Sequence, residues 1–152
     1  MPISFSTTEH FPLSREQVFE GLTNLNNAHK WMNGFIRIEP IKGTRIEPGA
    51  VWRETRKLYG REATEEFEVT AIIPNREINL RVDGSKGTSK KGIFIFQYIL
   101  NDNNNGTDVT LNGEVQGLKG ITALVFKLFS GSFKKACVKD LVNLRTYLTK
   151  QA

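Results

Sequence analysis

The sequence predicts an α+β fold in which a seven-stranded antiparallel sheet curves around one long C-terminal helix. Segments near the start and again between residues 35 and 115 alternate apolar and polar residues, which is typical of half-buried strands. From about residue 118 or 121 to residue 150 the apolar residues instead recur at the helical period. Consecutive hairpin-linked strands form an antiparallel sheet, and only the last helix is large enough to cover one face of it.

The chain begins with a strand and two short helices. Residues 3–11, ISFSTTEHF, alternate with a period of two, and Ser14-Arg-Glu-Gln17 forms a capping box that starts a helix. A second helical turn or two lies within residues 24–33 and stops at Asn33-Gly34. The two helices are therefore closely joined.

Six strands follow in succession. The third and fourth strands of the fold form a hairpin with its turn at Tyr59-Gly60-Arg61, and the last two form another across NDNNNGTD. Residues 83–92 form a Gly-rich loop without a regular pattern. The predicted segments after the first strand are 35–39, the two arms of 51–69, 77–82, 93–100 and 109–115.

The last helix is amphipathic and would be up to ~45 Å long at the usual rise per residue. Gly131, between Ser130 and Ser132, weakens its middle and is a position where it could bend. Its apolar residues are Ile121, Leu124, Val125, Leu128, Phe129, Phe133, Ala136, Cys137, Leu141, Leu144 and Leu148.

Composition indicates one globular domain over residues 1–152, with 39% hydrophobic and 24% charged residues. The start lacks a signal-peptide pattern and no run is apolar enough to span a membrane, so we expect a cytoplasmic protein without stable membrane insertion.

The net charge is +5, but the basic residues are scattered, which predicts no nucleic-acid partner. The single cysteine, Cys137, is predicted to be a packing residue. No metal or cofactor site can be assembled from the spacing.

Charged residues lie among apolar ones on one face of the first hairpin. The turn pairs either Tyr59 with Glu62 or Leu58 with Arg61. Both pairings place Trp52, Glu54 and Arg56 on the same face as Glu65 and Phe67. Isolated charges are costly in a packed core. They form either a polar patch on the wall of an apolar pocket, or a rim group in which the arginine bridges the two glutamates. The opposite face is nearly all polar and is predicted to face water: Arg53, Thr55, Lys57, Thr64, Glu66, Glu68 and Thr70.

The second hairpin predicts more of the same apolar wall. Its inner face alternates Phe94, Phe96, Tyr98 and Leu100 with a partner row in which Gly113 leaves room opposite an aromatic ring. The opposite face of the strand that carries Phe94 and Phe96 is also more apolar than a solvent-exposed face needs to be. This indicates a partner surface or a homodimer. That face contains Ile93, Ile95 and Ile99.

In the order and spacing of these segments the chain resembles the helix-grip superfamily, which includes START domains, birch-pollen-allergen-like proteins and the polyketide cyclase/dehydrase and lipid-transport families. The segments that carry the resemblance are FPLSREQVFEGLTNLNNAHKW, PGAVWRETRKLYGREATEEFEVTAIIPNREINLRV and KDLVNLRTYL. The resemblance implies a curved seven-stranded sheet, two small helices closing one end, and a long helix over a cavity that commonly holds an apolar or amphipathic molecule. It implies no fixed catalytic set.

Three functions are compatible with the pattern. The first is a carrier or sensor of a hydrophobic small molecule, with Arg56 holding its polar end. The second is a cyclase or dehydratase in which Glu54 or Glu65 is the base and Arg56 or Tyr98 the donor. The predicted ligand-binding residues are Trp31, Trp52, Arg56, Phe67, Phe96, Tyr98, Leu111, Phe126, Phe129 and Phe133.

The third function is a protein-interaction domain, which predicts a small or filled cavity. An open pocket of several hundred Å3 favours the first two functions instead. His10 and His29 have no predicted acid or serine partner nearby in sequence, and we expect them at the surface.

Overall fold

A computed structural model describes residues 3–151, without the side chains of Leu128 and Phe129. Each predicted strand and helix is present in the predicted order. The strands are β1 (Ile3–Phe11), β2 (Phe35–Lys42), β3 (Val51–Leu58), β4 (Arg61–Ile73), β5 (Glu77–Asp83), β6 (Ile93–Asn103) and β7 (Gly106–Gln116). The helices are α1 (Arg15–Thr23), α2 (Gly120–Gln151) and two 3-10 helices, Leu25–Lys30 and Gly84–Lys86.

The seven strands form one antiparallel sheet in the order β1-β7-β6-β5-β4-β3-β2. The strands from β2 to β7 pair with their sequence neighbours, and β1 returns to lie beside β7. This confirms the predicted α+β helix-grip fold, an open seven-stranded sheet with short helices and a long terminal helix.

Local chemistry accounts for the ends of several elements. The Ser14 hydroxyl accepts from the Gln17 backbone N–H while the Gln17 side chain accepts from the Ser14 backbone N–H, which is the predicted capping box. At the first hairpin, Leu58 pairs with Arg61, so Tyr59 and Gly60 form a two-residue turn with φ of 53° and 77°. Two positive φ angles are characteristic of a tight hairpin turn that matches strand twist.

The core lies between the sheet and α2. Leu141 and Leu144 of α2 are almost completely buried, at 1% and 0% exposure. They pack in one cluster with residues of α1 and the sheet, so the helix contributes its second half to the core. The strand and loop members of this cluster include Phe11, Leu13, Trp52, Val69, Ile78, Leu80, Leu100, Val109 and Leu111.

Gly113 has the predicted role of making room for an aromatic ring. It pairs with Phe96 on one side and with Phe5 on the other. A methyl group at this position would overlap the Phe5 ring. The ring that needs the space therefore belongs to β1, which the sequence pattern did not single out.

One expectation about local structure is corrected. Thr55 was predicted to face water, but it is only 1% exposed and its hydroxyl shares a 2.7 Å hydrogen bond with Thr64. The loop after β5 folds back beside these strands, where Thr88 N–H donates to the Thr64 carbonyl and Arg53 donates to Lys86. In α2, the helix continues without a break through Gly131.

Gly34 is expected to be intolerant of substitution. Its φ is +70°, and a methyl group there would overlap the backbone carbonyl of Lys57, whose N–H donates to the Gly34 carbonyl at 2.7 Å. We expect Gly34→Ala to lower the free energy of unfolding by about 2 to 4 kcal/mol, since left-handed strain and a backbone collision add. Gly60→Ala is the matched control, because Gly60 also has positive φ but open space around it. Chemical denaturation measures both, and equal losses in the two variants would contradict the collision.

Candidate functional site

The predicted charged patch is built around Arg56 on β3. Its Nε donates to Glu54 Oε2 at 2.6 Å, because residues two apart on a strand lie on the same face. Its Nη1 donates to Asp140 Oδ2 on α2 at 2.5 Å. The three side chains are only 18%, 6% and 14% exposed in that order, so this is a buried ion-pair network that joins the sheet to the helix.

Asp140 was not identified from the sequence. Its other oxygen, Oδ1, accepts from the Asn33 backbone N–H at 2.8 Å, so one carboxylate binds both β3 and the turn before β2. A signal was nevertheless present. Asp140 is the only acidic residue from position 117 to 152, and it lies in the apolar stripe of the helix between Cys137 and Leu144.

The pKa values in this network follow from burial and pairing. Burial by itself lowers the pKa of Arg56, but the neighbouring charges of Glu54 and Asp140 raise it above its ordinary value. Burial raises the pKa of Asp140, and the guanidinium of Arg56 opposes that rise. Arg56 is therefore held permanently charged, and the charged form of Asp140 depends on it.

Glu65 has a different role from the one expected for a rim group bridged by Arg56. It lies directly opposite Glu54 in the β3–β4 pair. Its Oε1, however, accepts from the backbone N–H of Ser89 at 2.8 Å and from the Ser89 hydroxyl at 2.5 Å, and the carboxylate packs against Gly87. Glu65 thus anchors the loop after β5, whereas Arg56 pairs with Glu54 and Asp140.

Two adjoining interior spaces lie beside this network. The larger, about 170 Å3, is between the sheet and α2, and the smaller, about 50 Å3, lies towards α1 and the first 3-10 helix. Both spaces are lined by Glu54, Arg56, Phe67, Leu80 and Tyr98. Together they are smaller than the several hundred Å3 expected of an open pocket.

The structure brings most of the predicted ligand-binding residues to these spaces. Phe126 lines neither of them and packs instead against Phe94 and Phe133, with ring centroids 5.9 and 6.0 Å apart. The side chain of Phe129 lies outside the described part of the structure. The residues that line at least one space are Trp31, Trp52, Arg56, Phe67, Phe96, Tyr98, Leu111 and Phe133, with the candidate bases Glu54 and Glu65.

A row of aromatic rings forms much of the wall. Trp52 stacks on Phe67 with ring centroids 5.5 Å apart and planes 7° apart, and Phe67 lies 6.4 Å from Phe96. The indole N–H groups of Trp31 and Trp52 are buried and have no acceptor among the described residues. Buried donors without a partner are uncommon in proteins, so each of these two N–H groups is available to donate to a ligand or to a water molecule.

Two further groups in the lining are kept neutral. Burial, followed by the neighbouring ionisable groups of Cys137 and Asp140, raises the pKa of the Tyr98 hydroxyl. Burial also raises the pKa of the Cys137 thiol, to about 12. At neutral pH both are protonated, so the tyrosine can donate a hydrogen bond and the cysteine is a poor nucleophile.

The histidines lie away from this network. His10 Nδ1 is 2.8 Å from Asp108 Oδ1 on the neighbouring strand β7. Asp108 is 98 residues from His10 in the sequence, so the sequence pattern did not identify it as a partner. His29 is exposed, and its ring lies 6.2 Å from that of Phe35. Neither residue lines the two interior spaces.

The arrangement favours binding through hydrogen-bond donors. Of the Arg56 nitrogens, Nε and Nη1 are engaged by carboxylates, and Nη2 donates to no acceptor within residues 3–151. With the two indoles and Tyr98, these donors suit a carbonyl or hydroxyl oxygen. The larger space is lined by three carboxylates and one guanidinium, which disfavours an additional negative charge.

Both the sequence and the fold of this chain are similar to those of known proteins. The sequence model of the family described as polyketide cyclase / dehydrase and lipid transport matches residues 2–149. No curated protein matches the chain. No helix within residues 3–151 has the length and apolar character to cross a membrane.

Solved structures share the fold over nearly the whole chain. Ginseng major latex-like protein 151 from Panax ginseng is similar with a TM-score of 0.81 and 10% identity, covering 97% of each chain. Ara h 8.0201 has a TM-score of 0.77 and 14% identity, and a Thermus thermophilus protein, TTHA0849, has 0.76 and 13%; each comparison covers 99% of both chains. At these identities the likeness shows the fold alone.

Proposed function

Because this chain belongs to the polyketide cyclase/dehydrase and lipid transport family, we propose that it binds a compact, neutral, largely apolar molecule between the sheet and α2. The observation that carries this proposal is the apolar space of about 170 Å3 that contains a buried guanidinium with donors to spare. The aromatic wall supplies contact area and the donors orient one oxygen.

The size of the two spaces limits the ligand. A cavity of about 150 Å3 accommodates benzene, and pockets for drug-sized ligands measure roughly 300–1,000 Å3. Spaces of about 170 and 50 Å3 therefore suit a molecule of one or two rings. The proposed ligand is smaller than a membrane lipid.

The charge of the lining limits the polar end of the ligand. A carboxylate would enter beside Glu54 and Asp140, which already share Arg56 between them. A neutral carbonyl can instead accept from Arg56 Nη2 without separating these pairs. The polar end of the ligand that Arg56 holds is therefore expected to be a neutral oxygen and not a carboxylate.

The two alternatives have less support. Glu54 accepts a hydrogen bond from Arg56, and Glu65 accepts hydrogen bonds from the backbone and the hydroxyl of Ser89. One oxygen of each candidate base is therefore already engaged, which disfavours removal of a substrate proton by either carboxylate. The modest size of the interior agrees with an interaction domain, but such a domain needs neither unpartnered interior donors nor an aromatic wall.

The test uses the two tryptophans, which both line the smaller space and are the only ones in the chain. Their indole N–H signals are followed in a 15N–1H correlation spectrum and assigned with Trp31→Phe and Trp52→Phe variants. Three probes of similar size are titrated: 4-phenyl-2-butanone, 3-phenylpropanoate and butylbenzene. We expect both signals to shift with the ketone at concentrations roughly tenfold below those needed for the other two probes.

Two results would overturn the proposal. Unchanged indole signals with all three probes would show that no probe reaches the smaller space, where the two indole N–H groups are proposed to meet the ligand. Tighter binding of 3-phenylpropanoate than of the ketone would show that the polar end is an anion.

A further inference from the structure

The first turns of α2 expose several large apolar side chains to solvent. Ile121, Leu124 and Val125 are 81%, 59% and 45% exposed. Their spacing of three and four residues places them on one face of the helix. This face is separate from the buried half of the helix that contains Leu141 and Leu144.

The outer surface of α2 is strongly cationic. The only acidic residue between positions 117 and 151 is Asp140, and it faces inwards to Arg56. No exposed acid on this helix therefore balances its lysines. Six lysines of the segment are exposed: Lys119, Lys127, Lys134, Lys135, Lys139 and Lys150.

A basic groove continues the line of the exposed apolar residues. Lys139 follows Ile121 by 18 residues, which is about five helical turns, so the two lie on the same side of α2. Between α2 and the end of β3, a surface groove of about 450 Å3 is lined by Lys57, Lys135 and Lys139. At its edge Tyr59 is 76% exposed, and its hydroxyl donates to the Ser132 carbonyl at 2.9 Å.

From these features we propose that the outer face of α2 docks on the surface of an anionic lipid bilayer. Lysines attract the negative headgroups, the exposed aliphatic residues enter the boundary of the acyl region, and tyrosine suits the interface between them. The docking surface consists of Ile121, Leu124, Val125, Tyr59, Lys57, Lys135 and Lys139. It lies on the surface, and it requires no membrane-spanning segment.

The chemistry favours a bilayer over other occupants. A nucleic acid would match the lysines but not three neighbouring aliphatic side chains. A second copy of this chain would bring two cationic faces together, which is unfavourable. The bilayer is the occupant that satisfies both the charge and the apolar character, and its docking is independent of the ligand proposed above.

Co-sedimentation of the full chain with vesicles tests this proposal. Vesicles of phosphatidylcholine alone are compared with vesicles that contain phosphatidylserine as a minor component, at low and high salt. We expect binding to the mixed vesicles at low salt, roughly tenfold or greater weakening at high salt, and little binding to the neutral vesicles.

Variants separate the two contributions. Lys135→Glu with Lys139→Glu, and Ile121→Ser with Leu124→Ser and Val125→Ser, are each expected to weaken binding to the mixed vesicles about tenfold or more. A matched control reverses two exposed charges outside the docking surface, Lys42→Glu with Arg76→Glu, and is expected to retain most binding. Circular dichroism melting checks that each variant is folded.

The proposal is overturned by any of four results. These are no binding to mixed vesicles at low salt, equal binding to neutral vesicles, equal losses in the control and the lysine variants, and full binding by the serine variant. Binding of duplex DNA that the serine substitutions leave unchanged, without vesicle binding, would identify a polyanion surface instead. A dimer in sedimentation velocity that the serine substitutions dissociate, again without vesicle binding, would identify a second copy as the occupant.

Discussion

Replacing Arg56 with methionine is expected to lower the free energy of unfolding by about 3 to 5 kcal/mol, because two carboxylates then remain buried without their cation. Burial already raises the pKa of Asp140, and Arg56 opposes that rise. Without the arginine the folded-state pKa moves further above the unfolded value, so this carboxyl favours folding at low pH and opposes it as pH rises. Urea denaturation should therefore find a larger loss at pH 8 than at pH 5.

A triple variant, Glu54→Met with Arg56→Met and Asp140→Asn, serves as the control. Removing all three charges together is expected to recover most of the lost stability, since buried ion pairs contribute little net stability compared with apolar residues. Asparagine keeps an oxygen for the Asn33 N–H that now donates to Asp140. The same variant is expected to bind 4-phenyl-2-butanone at least about tenfold more weakly. A triple variant as unstable as Arg56→Met would contradict this account of the network.

Filling the larger space is expected to abolish ligand binding without unfolding the protein. Cys137 lines this space from α2. In Cys137→Phe the added ring occupies the volume proposed for the ligand, so we expect affinity for 4-phenyl-2-butanone to fall by about 100-fold or more. The change in the free energy of unfolding is expected to stay within about 1 to 3 kcal/mol, since the ring enters an existing space. Calorimetric titration and thermal unfolding measure the two effects.

Cys137→Ala is the matched control for this experiment. It removes the thiol without filling the space, and we expect it to bind the ketone about as well as the original chain. Undiminished binding by Cys137→Phe would place the ligand elsewhere. A loss of the same size in Cys137→Ala would indicate that the thiol itself, not the volume, matters.

Strand periodicity was sufficient for the sheet and for the face of each residue in the first hairpin. Because side chains alternate strictly along a strand, the pairing of Leu58 with Arg61 confirmed that Glu54, Arg56, Glu65 and Phe67 share a face. The capping box and the two-residue turn at Tyr59 and Gly60 were equally local features. Features that depend on residues close together in the chain can therefore be predicted from the sequence.

Contacts between distant segments could not be obtained in the same way. Asp140 is 84 residues from Arg56, and nothing in the periodicity of a helix says which strand residue its side chain reaches. The same holds for Ser89, which reaches Glu65 because an irregular loop folds back against β4. Thr55 lies on the predicted face of the hairpin, but its burial was missed for the same reason. The volume between sheet and helix depends on how side chains from both pack, so its modest size was also beyond the sequence pattern.

The central claim is that the chain holds a compact molecule between the sheet and α2, and native mass spectrometry tests it most directly. The original chain and Cys137→Phe are compared as purified and after incubation with 4-phenyl-2-butanone. The account predicts a one-to-one complex for the original chain, lost on denaturation, and only the bare polypeptide for Cys137→Phe. Bare polypeptide in every sample, or the same complex in both proteins, would contradict it.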